Sequence, residues 1–333
     1  MAVDDAQHAQ WLDWRKGGIT ATDVADAYAG TYGGAYAVVA NKLGKLPPKE
    51  QTDAMTRGHR WQPLIADAVH ALTGLHVVGE ETWCEHPERS EWRCTVDGFL
   101  APEPEVGIDE VTGVLEVKTT GAGARLDMSR TEAQVQWQML VTGIESAVVA
   151  AATIDDGTDE CVGIRLHRVV ASPMHQAQLA DVAETLWQHV TDGTLPDPDT
   201  PSALDVVKAA NGTADYDADT VDLSDMAEDI ARLGEIKTAV KAVTDERDEL
   251  EARIRAAIGT ATTGKCGDWT VSVSKPTRVL TPDAEARLLA ERPDLAKTVL
   301  DRDRAKTEAA DLYDALREPV GARRLTIKQK GNR

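Results

Sequence analysis

Gly113-Val114-Leu115-Glu116-Val117-Lys118-Thr119 is an aliphatic run carrying two opposite charges two residues apart. Such a run between polar, glycine-containing turns predicts a strand. On a strand, a step of two points both side chains to one face. A charged pair in this setting is costly to bury unless each member has a partner. Upstream, Thr95-Val96-Asp97-Gly98 ends a strand-like run, with 18 residues between Asp97 and Glu116, a gap that a hairpin with a long loop closes. Asp97 and Glu116 then offer two carboxylates to a hard divalent cation, and the Lys118 ammonium suits positioning an attacking water. Downstream lies Gln134-Val135-Gln136-Trp137-Gln138. An aspartate, a Glu-x-Lys and a later glutamine run are what a magnesium-dependent nuclease needs to cut a phosphodiester, with manganese as a substitute ion.

The pattern around these motifs is α/β. Trp61, Leu64, Ile65, Ala68, Val69 and Leu72 fall three and four apart and predict a helix over 59–73, stopped by Gly74. Strands are expected at 75–84, 91–100 and 114–119, then a helix at 131–141 ended by Gly143. Further strands at 146–153 and 162–170 and an amphipathic helix at 174–190 complete an αβββαβ order with trailing elements.

Residues 191–220 are rich in Pro, Asp, Gly and Thr, which marks a boundary. The expected organisation is a first domain over 1–195, a linker over 196–224 and an accessory domain over 225–333. In the last, Met226, Leu233, Ile236, Val240, Val243, Leu250 and Ile254 follow a broken heptad with Asp229 and Arg247 on the seam. A long helix packed on its own domain is the preferred reading, over a coiled-coil contact with a partner or protomer. Gly259-Thr260-Ala261-Thr262-Thr263-Gly264-Lys265-Cys266 nearly spells a phosphate-binding loop, but it closes a helix and leads into a strand, the reverse of that motif's order. A glycine-capped turn is expected instead. Arg324–Lys328 is strand-like and suits pairing with Trp269–Ser274. The last thirteen residues hold five basic side chains and no acid.

Composition bounds the function. The net charge is −20, and residues 1–200 carry 31 acidic against 14 basic side chains. Affinity for nucleic acid rests on Lys and Arg neutralising phosphates, so this balance argues against a pure DNA-binding module. An enzyme that gathers a few arginines in a channel under an acidic exterior is consistent with it, and Arg15, Lys16, Arg57 and Arg60 are the residues expected there. There is no apolar leader and no long apolar span, so neither a signal peptide nor a membrane helix is expected. The four cysteines lack a C-x-x-C spacing and read as reduced thiols, with an edge-strand role preferred over a metal contact for Cys84 and His86.

The order of these motifs resembles the YqaJ-type phage recombinase, or lambda exonuclease, family of the PD-(D/E)XK nuclease superfamily, over residues 11 to about 190. The resemblance is carried by Trp11-Leu12-Asp13-Trp14-Arg15 with Gly18-Ile19-Thr20-Ala21-Thr22-Asp23, by Arg57-Gly58-His59-Arg60-Trp61-Gln62, by Thr95-x-Asp97-Gly98, by Glu116-x-Lys118 and by Ala133-Gln134-Val135-Gln136. It implies a restriction-endonuclease-like core, a central mixed sheet flanked by helices, here followed by a C-terminal long-helix and small β-hairpin domain. It implies a metal-dependent 5′-to-3′ exonuclease on linear double-stranded DNA, leaving 3′ single strands for an annealing protein. Asp97 and Glu116 would be metal ligands with the carbonyl of Val117, Lys118 the catalytic lysine, and Gln134 a site residue on the following helix. Arg15, Thr22 and Thr95 would cradle the terminal 5′ phosphate, a task suited to one guanidinium fork and two hydroxyls. Gln62 stands where the family has a helix glutamate, with Glu80 or Glu81 as substitutes for the lost charge. A ring-shaped homo-oligomer in the cytoplasm of a bacterial host is compatible with the resemblance. The alternatives are a non-catalytic recombination or DNA-processing factor with a nuclease fold, and an endonuclease or single-strand nuclease with the same core.

Overall fold

The computed structural model describes residues 5–47, 52–155, 157–211, 222–274, 277–295, 302–320 and 325–329. The chain divides into two units, Met1–Asp217 and Ala218–Arg333. In chain order the first unit comprises α1 (Asp5–Lys16), β1 (Ile19–Thr20), α2 (Ala21–Ala29), α3 (Gly34–Lys42), α4 (Asp53–Thr73), β2 (His76–Val78), β3 (Thr82–His86), β4 (Arg89–Val96), β5 (Gly98–Ala101), β6 (Gly113–Gly121), α5 (Met128–Thr142), β7 (Ser146–Asp155), β8 (Glu160–Val170), α6 (Pro173–Asp192) and α7 (Ala203–Asn211).

Five strands form a mixed sheet in the order β2-β5-β6-β7-β8, with β6 at its centre. β5 runs antiparallel to β6, with Gly98 opposite Leu115, whereas β7 runs parallel to it, with Leu115 opposite Val148. A parallel neighbour needs a crossover, and α5 supplies it. The alternation expected of a strand buried on both faces is visible in the packing. Val114, Ala147 and Val149 join one core with Trp137 and Val135 of α5 and with residues of α2 and α6. Leu115, Val148 and Ala150 join a second core under Ile65 and Val69 of α4. Each fully buried aliphatic side chain here stabilises the fold by about 1.5–3 kcal/mol. Helices thus cover both faces of a central mixed sheet, as the sequence leads one to expect.

Two expected strands are corrected. The run 75–84 breaks at Gly79 and Glu81, both with positive φ, into β2 and β3, which belong to different sheets. The run 91–100 breaks at Asp97 into β4 and β5. β4 pairs with β3 and β1 in a separate three-stranded sheet, and β5 joins the large one. Gly98 makes this switch feasible, because a Cβ there would lie 2.6 Å from Cγ1 of Val77. The helix expected at 59–73 starts earlier, capped by the Thr52 hydroxyl, and ends at Gly74 with φ 74°. Within the stretch read as linker, α7 is a helix that packs beside α3 and brings Val206 against Gly33.

The second unit holds α8 (Ala227–Ile258), β9 (Thr263–Cys266), β10 (Trp269–Val273), β11 (Thr277–Leu280), α9 (Pro282–Glu291), α10 (Arg302–Glu308), α11 (Ala310–Ala315), β12 (Arg317–Val320) and β13 (Leu325–Gln329). β9 and β10 form a hairpin around Gly267, and β13 pairs antiparallel with β10, as its strand-like sequence suggests. The segment 259–266 therefore closes a helix at Gly259 and opens a strand, as the reading against a phosphate loop requires. The expectation that α8 packs along its own domain does not hold. No residue of this 32-residue helix is buried, and its apolar stripe faces solvent from Met226 to Leu250. Most of the basic C-terminal tail lies outside the described residues. No described helix is long and apolar enough to cross a membrane.

Candidate active site

Asp97 occupies the single residue between β4 and β5, so the change of sheet presents it to the open edge of β6. Its Oδ2 accepts a hydrogen bond from the Val117 N–H at 2.6 Å. β5 pairs with β6 only through Leu115, and beyond that point Asp97 takes the place of the missing strand. In extended backbone the N–H and C=O of one residue face the same neighbour, so the Val117 carbonyl is directed to the edge that Asp97 occupies.

Glu116 is buried on the α5 side of β6, and three side chains hold it. Oε1 accepts from Lys118 Nζ at 2.5 Å and from Gln134 Nε2 at 2.7 Å, while Oε2 accepts from Gln138 Nε2 at 2.7 Å. Lys118 also donates to Gln134 Oε1 at 3.0 Å, and Gln138 to the Thr95 carbonyl at 3.0 Å. Gln134 and Gln138 are one helical turn apart on α5 and so share a face. Gln136, on the opposite side, bonds the Val170 carbonyl and the Ser172 N–H and fixes α5 against the start of α6. Trp137 is fully buried and donates to the Arg93 carbonyl, which ties the same helix to β4. Gln138 was a sequence neighbour of the site without an assigned role. Its spacing of four from Gln134 is the signal by which the sequence could identify it.

Glu116 perturbs its neighbour Asp97. Burial, followed by the negative charge of Glu116, pushes the Asp97 carboxyl up from 3.8 to about 8, against the opposing pull of Lys118 and the Val117 N–H. Buried Glu116 and half-buried Asp97 at a strand edge, with a carbonyl directed to the same edge, offer an all-oxygen donor set of the kind that suits magnesium or manganese. Among the described residues no group of three or more His, Cys, Asp or Glu side chains is arranged to hold a metal. A cation here would be held by two carboxylates and backbone oxygen. The buried Oε1 of Gln138, which has no hydrogen-bond partner among the described residues, marks a polar position still open beside Glu116.

A cavity of about 330 Å³ joins this acidic corner to a basic and hydroxylic one. Asp97, Glu116, Gln134, Glu80 and Glu81 line it together with Arg15, Thr22, Thr95, Trp11 and Trp83. Arg15 closes α1, where its guanidinium lies over the Trp11 ring at 4.7 Å and Nη2 donates to Thr20 Oγ1 at 3.1 Å. The Trp11 indole N–H donates to Thr95 Oγ1 at 3.2 Å. Gly18 lets α1 approach β4 this closely, since a Cβ there would stand 2.4 Å from the Glu91 carbonyl. Asp23 bonds the N–H and hydroxyl of Thr20 and pairs with Lys42 at 2.7 Å. Burial pushes its carboxyl up, but Lys42 and Arg15 outweigh burial and hold it below the usual range. This buried pair fixes the start of α2, on which Thr22 sits.

The structure thus brings Asp97, Glu116, Val117, Lys118 and Gln134 together, and puts Arg15, Thr22 and Thr95 on the same cavity as Asp97 and Glu116. Gln62 does not line that cavity. It lies one turn before Ile65 and Ala66 on α4, the helix that covers the opposite, Leu115 face of the sheet. Glu81, which also acts electrostatically on Asp97, is the acid on the spot. Of the four basic residues expected in a channel, Arg15 lines the cavity, while Arg60 is engaged in an exposed ion pair with Asp159. Cys84 lies opposite Cys94 on β3 and β4, and His86 packs against Trp92 with ring centroids 5.3 Å apart.

Residues 10–145 match the model of the YqaJ-like viral recombinase domain. No curated protein matches the chain. Among solved structures, the chain is similar to an alkaline exonuclease from Laribacter hongkongensis, at 18% identity over 56% of this chain and 93% of that one, with a TM-score of 0.42. It is also similar to a phage related exonuclease from Haemophilus somnus 129PT, at 9% identity over 53% of this chain and 96% of that one, with a TM-score of 0.41.

Proposed function

We propose that this chain, whose residues 10–145 are a YqaJ-like viral recombinase domain, is a divalent-cation-dependent exonuclease that degrades linear double-stranded DNA from 5′ ends. The observation that carries this reading is the network on Glu116. A buried carboxylate bonded by Lys118, Gln134 and Gln138 stands beside the half-buried carboxyl of Asp97, on a cavity that also holds an arginine and two threonines.

Asp97, Glu116 and the Val117 carbonyl would hold magnesium, or manganese in its place. When bound, such an ion neutralises charge on the scissile phosphate and lowers the pKa of water at its surface. Lys118, aligned by Gln134 and Glu116, would donate to an oxygen of the reacting phosphate and stabilise the charge that develops on it. Gln138 keeps the second oxygen of Glu116 occupied and so orients the carboxylate. Arg15, stacked on Trp11, would take the terminal 5′ phosphate with the hydroxyls of Thr22 and Thr95, which sets the polarity of digestion. The product is a 3′ single strand, the substrate of a single-strand annealing protein, which is the partner this reading implies.

The test is digestion of a linear duplex bearing one 5′-phosphate end, alongside a closed circle, with magnesium, with EDTA, and with Lys118→Ala. Loss of the strand from its 5′ end, dependent on magnesium and absent from the variant and the circle, is the expected result. Cleavage of the circle would identify an endonuclease. No cleavage over a range of magnesium and manganese would leave a non-catalytic DNA-processing factor.

A further inference from the structure

Helix α8 carries a stripe that its own unit does not cover. Met226, Leu233, Ile236, Val240, Val243 and Leu250 are each between 43% and 66% exposed. Met226 stands at the N-cap, and the five from Leu233 to Leu250 span 18 residues of helix, about 27 Å; apolar side chains so aligned are costly to leave in water. The stripe stops where the unit's own packing begins, because Ile254, Ala257 and Ile258 border a groove against β9 and β10. Met226, Leu233, Val240 and Arg247 occupy one heptad seam position, and Asp229, Ile236, Val243 and Leu250 the other.

We infer that α8 pairs antiparallel with α8 of a second copy of this chain, in the register that centres on Thr238. The charges select both the orientation and the register. In a parallel, in-register pair Arg247 would meet Arg247 of the second copy, and Asp229 would meet Asp229. The flanks would add Arg232 against Lys237 and Glu246 against Glu251, all like charges. In the antiparallel register centred on Thr238, Asp229 meets Arg247 of the second copy, twice by symmetry. The other six seam layers are then wholly apolar: Met226 with Leu250, Leu233 with Val243, and Ile236 with Val240, each twice. On one flank Arg232 meets Glu246 of the second copy, also twice, and Ala239 meets Ala239 at the axis. On the other flank Lys237 lies near its own counterpart, the one like-charge contact of the arrangement, on the solvated rim where screening is strongest. The register uses the stripe from its first residue to its last, and the interface is isologous, as a closed two-fold dimer requires. In the single chain Arg247 and Arg232 bond Asp248 and Glu235 on their own helix. Exposed pairs of this kind are weak and give way to a desolvated partner.

The pairing is tested by analytical ultracentrifugation of the full chain at about 1–100 µM. Val240→Asp should halve the assembly mass, with helix content unchanged by circular dichroism because the position is solvent-exposed in the single chain. Arg247→Glu should weaken association about tenfold, by opposing two acids at both symmetric layers. The double variant Asp229→Arg with Arg247→Glu should restore it, because the exchanged charges still meet. A mass unaffected by Val240→Asp, or a double variant as weak as the single one, would overturn the antiparallel pairing. So would a parent chain that stays monomeric throughout.

Discussion

Asp97→Asn should stabilise the first unit at neutral pH and reduce its pH dependence. The carboxyl of Asp97 is held protonated up to about 8 by burial and by the charge of Glu116. Between its ordinary value of 3.8 and about 8, the folded chain retains a proton that the unfolded chain has released. Stability therefore falls as pH rises through this window. The cost is about 1.4 kcal/mol per pH unit, so at pH 7, about three units above the ordinary value, it reaches about 4 kcal/mol. Asp97 keeps part of its surface in solvent, which screens the effect, and half that figure, about 2 kcal/mol, is the magnitude to seek. Asparagine keeps an oxygen to accept the Val117 N–H, so the variant removes the charge and preserves the bond. Seven of the eight tryptophans precede residue 200, so indole fluorescence during urea unfolding reports on this unit. With EDTA present, the parent should lose about 2 kcal/mol more than the variant between about pH 4 and pH 7. Magnesium should return the lost stability to the parent alone, since an ion that binds the folded state displaces the proton. Equal pH slopes in parent and variant would refute the assignment of the perturbed carboxyl to Asp97.

Other tests address single contacts. Gln138→Leu strips Oε2 of Glu116 of its amide donor, and leaving a buried carboxylate oxygen unbonded should cost about 2–3 kcal/mol in urea denaturation. Arg15→Ala should abolish any preference for 5′-phosphorylated over 5′-hydroxyl ends, read as the ratio of digestion rates on the two substrates. Glu81→Gln should raise the magnesium concentration needed for half-maximal cleavage, while Gln62→Glu, away from the cavity, should leave it unchanged; the reverse result would return the helix position to the site.

Glu116 and Lys118 were legible because a strand converts a spacing of two into a shared face, whatever the rest of the fold does. The helix over 59–73 and the glycine that ends it were legible for the same local reason, while its start at Asp53 was not. The switch of sheets was not. Glu91–Leu100 reads as one continuous strand, and only the contact between Gly98 and Val77, distant in sequence, shows why the chain turns there. A position within a motif says nothing of which face of the sheet its helix covers, and Gln62 sits on the helix over the Leu115 face. The solvent-facing stripe of α8 looked like a core pattern, since a heptad states what a helix must bury and not which chain supplies the cover.

The crossing at Asp97 also makes the site a seam. One acid belongs to the turn that leaves the small sheet, the other to the middle strand of the large sheet, and α5 grips both layers through Gln138 and Trp137. An ion shared by the two acids would act as a rivet through that seam. Chelation would then slacken the joint between two β-layers as well as stop cutting. The amide of Val117, which donates to Asp97 across the gap, would record the slackening as faster hydrogen exchange.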